Sequence, residues 1–223
     1  SVRDRVDLSL SKLIDFGDIK NVSVSMSAYK SKQYKADEFG GALNISIPLE
    51  GRRRVGYKTQ VANRNITQTA SWSDYSDPNN SWQVSAGVNQ RGKAVGSGSY
   101  THESPYSSLN VNSSYQQDSY TSLSGTLRSG MTATEHGAAI HRNSMSGASR
   151  IMVSTGDISG VPINNGKAKT NHFGVAVVSN VNSYYDTTTR IDVNKLDDDV
   201  EATRAVVQGT LTEGAIGYRN FDV

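Results

Sequence analysis

The strongest constraint on the fold is a period-two alternation of apolar and polar residues that recurs through most of the chain. In residues 22–28, valine, methionine and alanine alternate strictly with serine. The same pattern occurs in residues 6–11, 43–47, 82–89, 109–115 and 122–127, and more loosely in 55–61 and 136–140. Successive side chains of a β-strand point to opposite faces, so these segments predict strands with one apolar and one polar face.

Turn-forming sequences separate the alternating segments. They occur at residues 15–18, 50–51, 77–80, 91–93, 103–105 and 116–119. Each strand segment between them runs about 8 to 11 residues, which matches the roughly 9–11 residues of a tilted strand that crosses a bilayer. The pattern therefore predicts antiparallel hairpins of membrane-spanning length.

The composition favours a membrane barrel over a soluble β-sheet. Only 35% of the residues are hydrophobic, whereas soluble domains approach half. The polar face is mostly uncharged Ser, Asn, Gln and Gly, which suits a water-filled lumen. Aromatic residues near segment ends, such as Tyr29, Tyr100, Trp72 and Trp82, suit the girdles of a bilayer interface. Disorder is poorly supported because the net charge is only +2 and the charges are dispersed.

Several classes of protein are excluded by what the sequence lacks. The absence of cysteine excludes disulfides and thiolate metal sites. No run approaches the roughly 20 apolar residues of a membrane helix. The balanced charge gives no electrostatic footprint for nucleic acid, and the basic run at residues 52–54 is expected to be a solvated hairpin. No secretion signal occurs at Ser1, so we expect that it was removed or that the chain is a fragment.

The alternation of apolar and polar residues ends at about Ser144. Residues 150–153 and 175–178 are continuously apolar, and residues 160–166 form a turn-rich loop. We therefore expect two regions. Residues 1–143 would form alternating barrel strands. Residues 144–223 would form further strands joined by longer connections.

The chain resembles the outer-membrane fimbrial ushers of the chaperone–usher pathway along essentially its whole length. Residues 43–49, Leu-Asn-Ile-Ser-Ile-Pro-Leu, are similar to a recurrent usher strand, and the order of the later motifs is similar too. These motifs lie at residues 122–125 with 136–137, at 160–163, at 170–177, at 192–194 and at 213–216. The chain departs from the family pattern at two places. Residues 171–174 are Asn-His-Phe-Gly, where ushers commonly have Asp-Trp-Arg-Gly. Residues 211–215 are Leu-Thr-Glu-Gly-Ala, where ushers commonly have Pro-Thr-Arg-Gly-Ala.

The resemblance implies an all-β fold, an antiparallel transmembrane segment that forms the later part of a larger usher translocation barrel in the bacterial outer membrane. It implies that residues 144–223 are the last barrel strands with longer connections, ending near the start of the C-terminal periplasmic region. It implies export and assembly of pilus subunits without covalent catalysis. The implied partners are outer-membrane lipid, pilus subunits, periplasmic chaperone–subunit complexes and the remainder of the usher chain. Ser23, Ser25, Asn110 and Asn112 are expected on the lumen face. An isolated partial barrel has two unpaired edges, so we expect these 223 residues alone to form a curled open sheet or to aggregate.

No set of residues converges on chemistry, and no catalytic, cofactor-binding or metal-binding residue is expected. His136 and His141 are five residues apart and would point to opposite faces of a strand. His102 with Glu103 lacks an orienting third group. Residues 197–199 are three aspartates without a complete calcium loop, and residues 96–99 are Gly-Ser repeats without a following helix.

One alternative function remains open from the residues themselves. A soluble extracellular β-rich adhesin or carbohydrate-binding module would show the same alternation, with surface aromatics as sugar platforms. An enzyme has the least support.

Overall fold

The computed structural model describes residues 4–33, 36–142, 148–196, 201–202, 205–221 and 223. Within these residues, nine strands of 10 to 15 residues come first, and eight strands of two to seven residues and one 3₁₀ turn follow. The nine long strands are β1 (Asp4–Phe16), β2 (Ile19–Gln33), β3 (Ala36–Leu49), β4 (Arg53–Ala62), β5 (Asn65–Asp77), β6 (Asn80–Asn89), β7 (Ala94–Glu103), β8 (Ser107–Gln116) and β9 (Tyr120–Thr134), and the shorter β10 (Gly137–His141) comes next.

The first ten strands form one sheet in sequence order, from β1 to β10. Short turns enforce this order because a turn of two residues can join only neighbouring antiparallel strands. Between β4 and β5, for example, Asn63 and Arg64 have φ of 47° and 70°. Positive φ at both central residues is the signature of the turn type that matches strand twist.

The strand register confirms the predicted alternation. Leu10 of β1 lies opposite Met26 of β2, and Met26 lies opposite Leu43 of β3. One position along, Ser11 lies opposite Ser25, and Ser25 opposite Asn44. Because apolar residues pair with apolar residues from strand to strand, the sheet has one continuous apolar face and one continuous polar face.

The strands after residue 148 differ from the expectation that they continue the barrel. They are β11 (Ser149–Ser154), β12 (Pro162–Ile163), β13 (Ala168–Lys169), β14 (Val175–Val181), β15 (Thr187–Arg190), β16 (Val206–Gly209) and β17 (Ile216–Asn220). They form three separate small sheets, and the largest has the order β14-β11-β17 with β11 and β17 parallel.

The continuous apolar runs explain this difference. In β11, Ile151 is 1% exposed and both Met152 and Val153 are 0% exposed, so consecutive residues are buried. Ile151 and Val153 belong to one apolar cluster with Ile163 and Phe221, whereas Met152 belongs to a second cluster. A strand buried on both faces reads as a continuous apolar run and needs a core on each side.

The chain divides into two units, residues 1–102 with 110–126 and residues 103–109 with 127–223. The boundary predicted after residue 143 and the aspartates 197–199 lie outside the described residues, as does Asp222. The predicted boundary therefore stays a prediction. No helix in the described part of the chain is long and apolar enough to cross a membrane.

Candidate functional surface

The apolar face of the sheet is uncovered. Leu8 of β1 is 73% exposed and Leu123 of β9 is 77% exposed. Other large apolar side chains of this face are exposed as well: Val6, Leu10, Met26, Phe39, Val84, Val88 and Tyr100. A contiguous apolar surface of this extent marks a face that contacts lipid or protein rather than water.

Two tryptophans lie on the apolar face near one end of the strands. Trp72 is opposite Val84, and Trp82 is opposite Tyr100. This agrees with the predicted aromatic position at a strand end. Tyr29 differs from that prediction because its register opposite Asp7 and Gly40 places it on the polar face.

The polar face consists of transverse rows in which small polar side chains follow one another across the strands. Three rows span six or seven strands, and a shorter one spans five. They are Leu13–Ser23–Ser46–Gly56–Ser71–Ser85–Ser97, Ser11–Ser25–Asn44–Lys58–Thr69–Gly87–Val95, Ser9–Ser27–Ala42–Gln60–Thr67–Asn89 and Pro48–Arg54–Ser73–Gln83–Ser99.

Neighbouring polar side chains bond to one another on this face. The hydroxyls of Ser85 and Ser97 are 2.7 Å apart, and those of Ser114 and Ser122 are also 2.7 Å apart. Asn110 Nδ2 donates to Thr101 Oγ1 at 2.9 Å. Side chains that satisfy one another across the sheet have fewer donors and acceptors to offer a passing surface.

Charge on the four rows is confined to β4. Among the residues of these rows, Arg54 and Lys58 carry the charge, and neither has an ion pair within the described part of the chain. They line one groove of the polar face together with Asn44, Ser46, Ser71, Ser73 and Tyr75. Arg53 belongs to the opposite face, where its Nε is 3.0 Å from Asp74 Oδ2.

The structure accounts for the histidines without a site of chemistry. His136 lies in the turn between β9 and β10, and its ring stacks on Tyr218 with centroids 3.9 Å apart. His141 is buried, donates from Nδ1 to the carbonyl of Arg142 at 2.6 Å and accepts at Nε2 from the Thr132 hydroxyl at 2.8 Å.

These rings are not brought together, and the described residues hold no group of three potential metal ligands. His102 Nδ1 is 2.8 Å from Asn80 Oδ1, an oxygen that also accepts from Tyr100. Residues 96–99 lie within β7.

The sequence of the chain matches a family model described as outer membrane usher protein over residues 2–221. The chain belongs to the outer membrane usher family. It is 40% identical to the outer membrane usher protein PmfC of Proteus mirabilis over 225 residues, which cover 100% of this chain and 27% of PmfC. It is 37% identical to PapC of Escherichia coli, covering 99% of this chain and 27% of PapC.

The fold is similar to a solved usher structure as well. A chain in the cryo-EM structure of the E. coli P pilus tip assembly intermediate PapC-PapD-PapK-PapG, in its second conformation, superposes with a TM-score of 0.86 at 36% identity. The match covers 100% of this chain and 28% of that one. This usher chain therefore spans about a quarter of the length of the relatives it matches.

One departure from the usher pattern has a structural role in this chain. Asn171 Oδ1 accepts from the backbone N–H of Phe173 at 2.9 Å and of Val175 at 3.1 Å, which closes the turn before β14. Its Nδ2 donates to the carbonyl of Ala138 in β10 at 2.8 Å. The aspartate of the family pattern could close the same turn but has no amide to donate.

Proposed function

We propose that this chain supplies part of the wall of an outer-membrane usher pore. The apolar face contacts lipid, and the polar face lines the passage through which chaperone-delivered pilus subunits cross. The supporting observation is the register, which keeps most apolar residues on one face and mostly uncharged polar residues on the other across the long strands. A water-filled barrel in lipid needs this division.

The exposed apolar face favours this function over a soluble adhesin or sugar-binding module. Side chains such as Leu8 and Leu123 would face water in a soluble protein, at a cost of about 25 cal/mol per Å² of apolar surface. In a bilayer, the same surface contacts acyl chains. The sheet then needs further strands at its β1 and β10 edges, which the remainder of the usher would supply.

The polar face suits transport of folded cargo. Its serine and asparagine side chains bond to one another, so a passing subunit meets hydroxyls and amides without apolar patches. Export would then proceed without covalent catalysis by the pore. Passage depends on low adhesion and on the strand addition by which subunits join.

The strands after residue 148 have a different role in this proposal. They bury apolar residues on both faces of β11, and the cluster that contains Ile151 lies wholly within them. We place them in the periplasm as a small water-exposed domain, because such a core needs no lipid.

Export of pili by the full-length usher tests the function. Replacing Ser23, Ser25, Asn110 and Asn112 together by leucine should reduce surface pili strongly, because apolar side chains on the lumen face would retain cargo. The matched control replaces the same positions by threonine or glutamine. Both variants are first checked for heat-modifiable mobility on gels, which reports the folded barrel. Unchanged pilus numbers in the folded leucine variant would contradict a lumen role for this face.

A further inference from the structure

The groove around Gly56 is the one place on the four polar rows that carries net charge. Arg54 and Lys58 flank Gly56 on the same face of β4, two positions away on either side. Both line the groove together with Ser46, Ser71 and Ser73. Arg52, in the turn that precedes β4, lines the groove too.

Gly56 opens the floor of this groove. It lies opposite Ser71, and a β-carbon at position 56 would come within 2.5 Å of Ser71 Oγ. A side chain at this position would displace the hydroxyl. Glycine therefore leaves the Ser71 hydroxyl accessible between the two cations.

No acidic group of the rows neutralises these cations. The cross-strand neighbours of Lys58 are Asn44 and Thr69, and those of Arg54 are Pro48 and Ser73. The nearby Asp74 is opposite Arg53 and bonded to it, on the other face of the sheet. Two unpaired cations beside free hydroxyl donors create a local positive potential that attracts anions.

We infer that Arg54, Lys58 and Ser71 form a binding site for carboxylate side chains on the surface of the subunit that passes through the pore. This inference rests on the proposed function, because it requires the polar face to line the passage. The other residues of the four rows are uncharged, so this site is where a subunit with surface Asp or Glu residues would be held. The guanidinium and ammonium groups bind the carboxylate, and the serine hydroxyl donates a further hydrogen bond.

The charges of Arg54 and Lys58 on β4 bind a subunit only weakly. An exposed ion pair contributes up to about 1 kcal/mol, which corresponds to a factor of about five in a dissociation rate. Such a site can orient a subunit without trapping it. Beyond Lys58, the row from Ser9 to Asn89 is uncharged, which allows the subunit to move on.

Carboxylate contact can be tested directly in the full-length usher with its chaperone and subunit engaged. A carbodiimide couples an amine to a carboxylate only where the two are in contact. We expect an isopeptide bond between Lys58 and an Asp or Glu of the subunit, identified by mass spectrometry. Lys12 is the internal control, because its register opposite Val24 places it on the apolar face. Lys58 left uncoupled, or coupled only to carboxylates of the usher itself, would overturn the inference.

A second test measures the rate of subunit release in variants that remove or keep these charges. The double variant Arg54→Gln, Lys58→Gln should release the engaged subunit about two- to five-fold faster per lost ion pair at low salt, and the difference should vanish at high salt. Lys58→Arg keeps the charge and should behave like the parent protein, which also controls for folding. Parent-like release by the double glutamine variant at every salt concentration would contradict the site. The export defect of the leucine variants would be unaffected by that result, so the proposed function would stand.

Discussion

The ring of Tyr29 lies over Gly40 on the neighbouring strand. The two residues are directly opposite in the β2–β3 register, and a β-carbon at position 40 would come within 2.5 Å of the Tyr29 ring. His141 and Gly130 repeat the relationship on β10 and β9, where the corresponding distance is 2.6 Å. In both pairs the glycine provides the space that the ring fills, so the pair fits in one register only.

The Tyr29–Gly40 pair leads to a prediction about barrel stability. Gly40→Ala would place a β-carbon within 2.5 Å of the ring and 2.6 Å of the Val61 carbonyl oxygen, and such overpacking typically costs about 1–3 kcal/mol. We expect a lower urea midpoint for the folded barrel of the full-length usher. Gly125→Ala is the matched control, since its nearest contact would be an ordinary 3.9 Å. Equal midpoints for the two variants would show that the ring does not depend on the glycine.

Adjacent residues of β1 test the lipid face against the lumen face. Leu10→Arg would place a charge on the apolar face, at a cost of about 2–4 kcal/mol near the bilayer midplane. Ser11→Arg would place the same charge on the polar face, where water solvates it. Folding of the full-length protein into lipid vesicles, followed by urea titration, measures both. Similar losses from both substitutions would contradict the assignment of the two faces.

The strands after residue 148 should form a unit that depends on its own core, the cluster that contains Ile151. Ile151 is fully buried, and Ile151→Ala should cost about 2–5 kcal/mol through lost burial and the cavity left behind. Limited proteolysis should then cut within residues 148–223, while heat-modifiable mobility of the barrel is retained. Val193→Ala, at an exposed position, should leave the protease pattern unchanged. If Ile151→Ala also abolished the folded barrel, the core of this unit would not be independent.

Substitutions of Asn171 can distinguish its two roles, which are to close the turn before β14 and to bond to β10. Asn171→Asp keeps both bonds to the backbone N–H groups of Phe173 and Val175 but loses the donor to the Ala138 carbonyl. Because water can reach that carbonyl, we expect a loss of roughly 0.5–1.5 kcal/mol, the usual net value of one hydrogen bond. Asn171→Ala should cost more, since it also opens the turn. Hydrogen exchange at Phe173 and Val175 distinguishes the variants, and equal protection in both would contradict this role for the side chain.

The periodicity was enough to predict the long strands and their two faces. A one-residue change of register would exchange the faces, so segments such as residues 22–28 have one pairing that keeps serine opposite serine. The side of Tyr29 was also predictable from this alternation, because Tyr29 follows Ser25 and Ser27 at alternate positions. Its position near a strand end indicated the wrong face. The position of Ser23 and Ser25 on the polar face followed from alternation alone.

The small sheets after residue 148 could not be predicted in the same way. Continuous apolar runs such as residues 150–153 fit a strand buried on both faces, but they do not say which strands cover it. The parallel pairing of β11 with β17 joins segments more than sixty residues apart, and local sequence carries no signal for such a contact. The groove at Gly56 was also missed, although Arg54 and Lys58 flanking a glycine on the polar face of a strand is a pattern visible in the sequence.

In the proposed pore, alternate residues of the long strands face lipid and water. Single cysteines at positions 24–27 of β2 and 122–124 of β9, in the full-length usher in vesicles, test this arrangement with a water-soluble thiol reagent. The chain itself has no cysteine to interfere, and the unsubstituted protein gives the background. We predict labelling at Ser25, Ser27, Ser122 and Ser124, and protection at Val24, Met26 and Leu123. Labelling without a two-residue period, or the reverse pattern, would contradict the account.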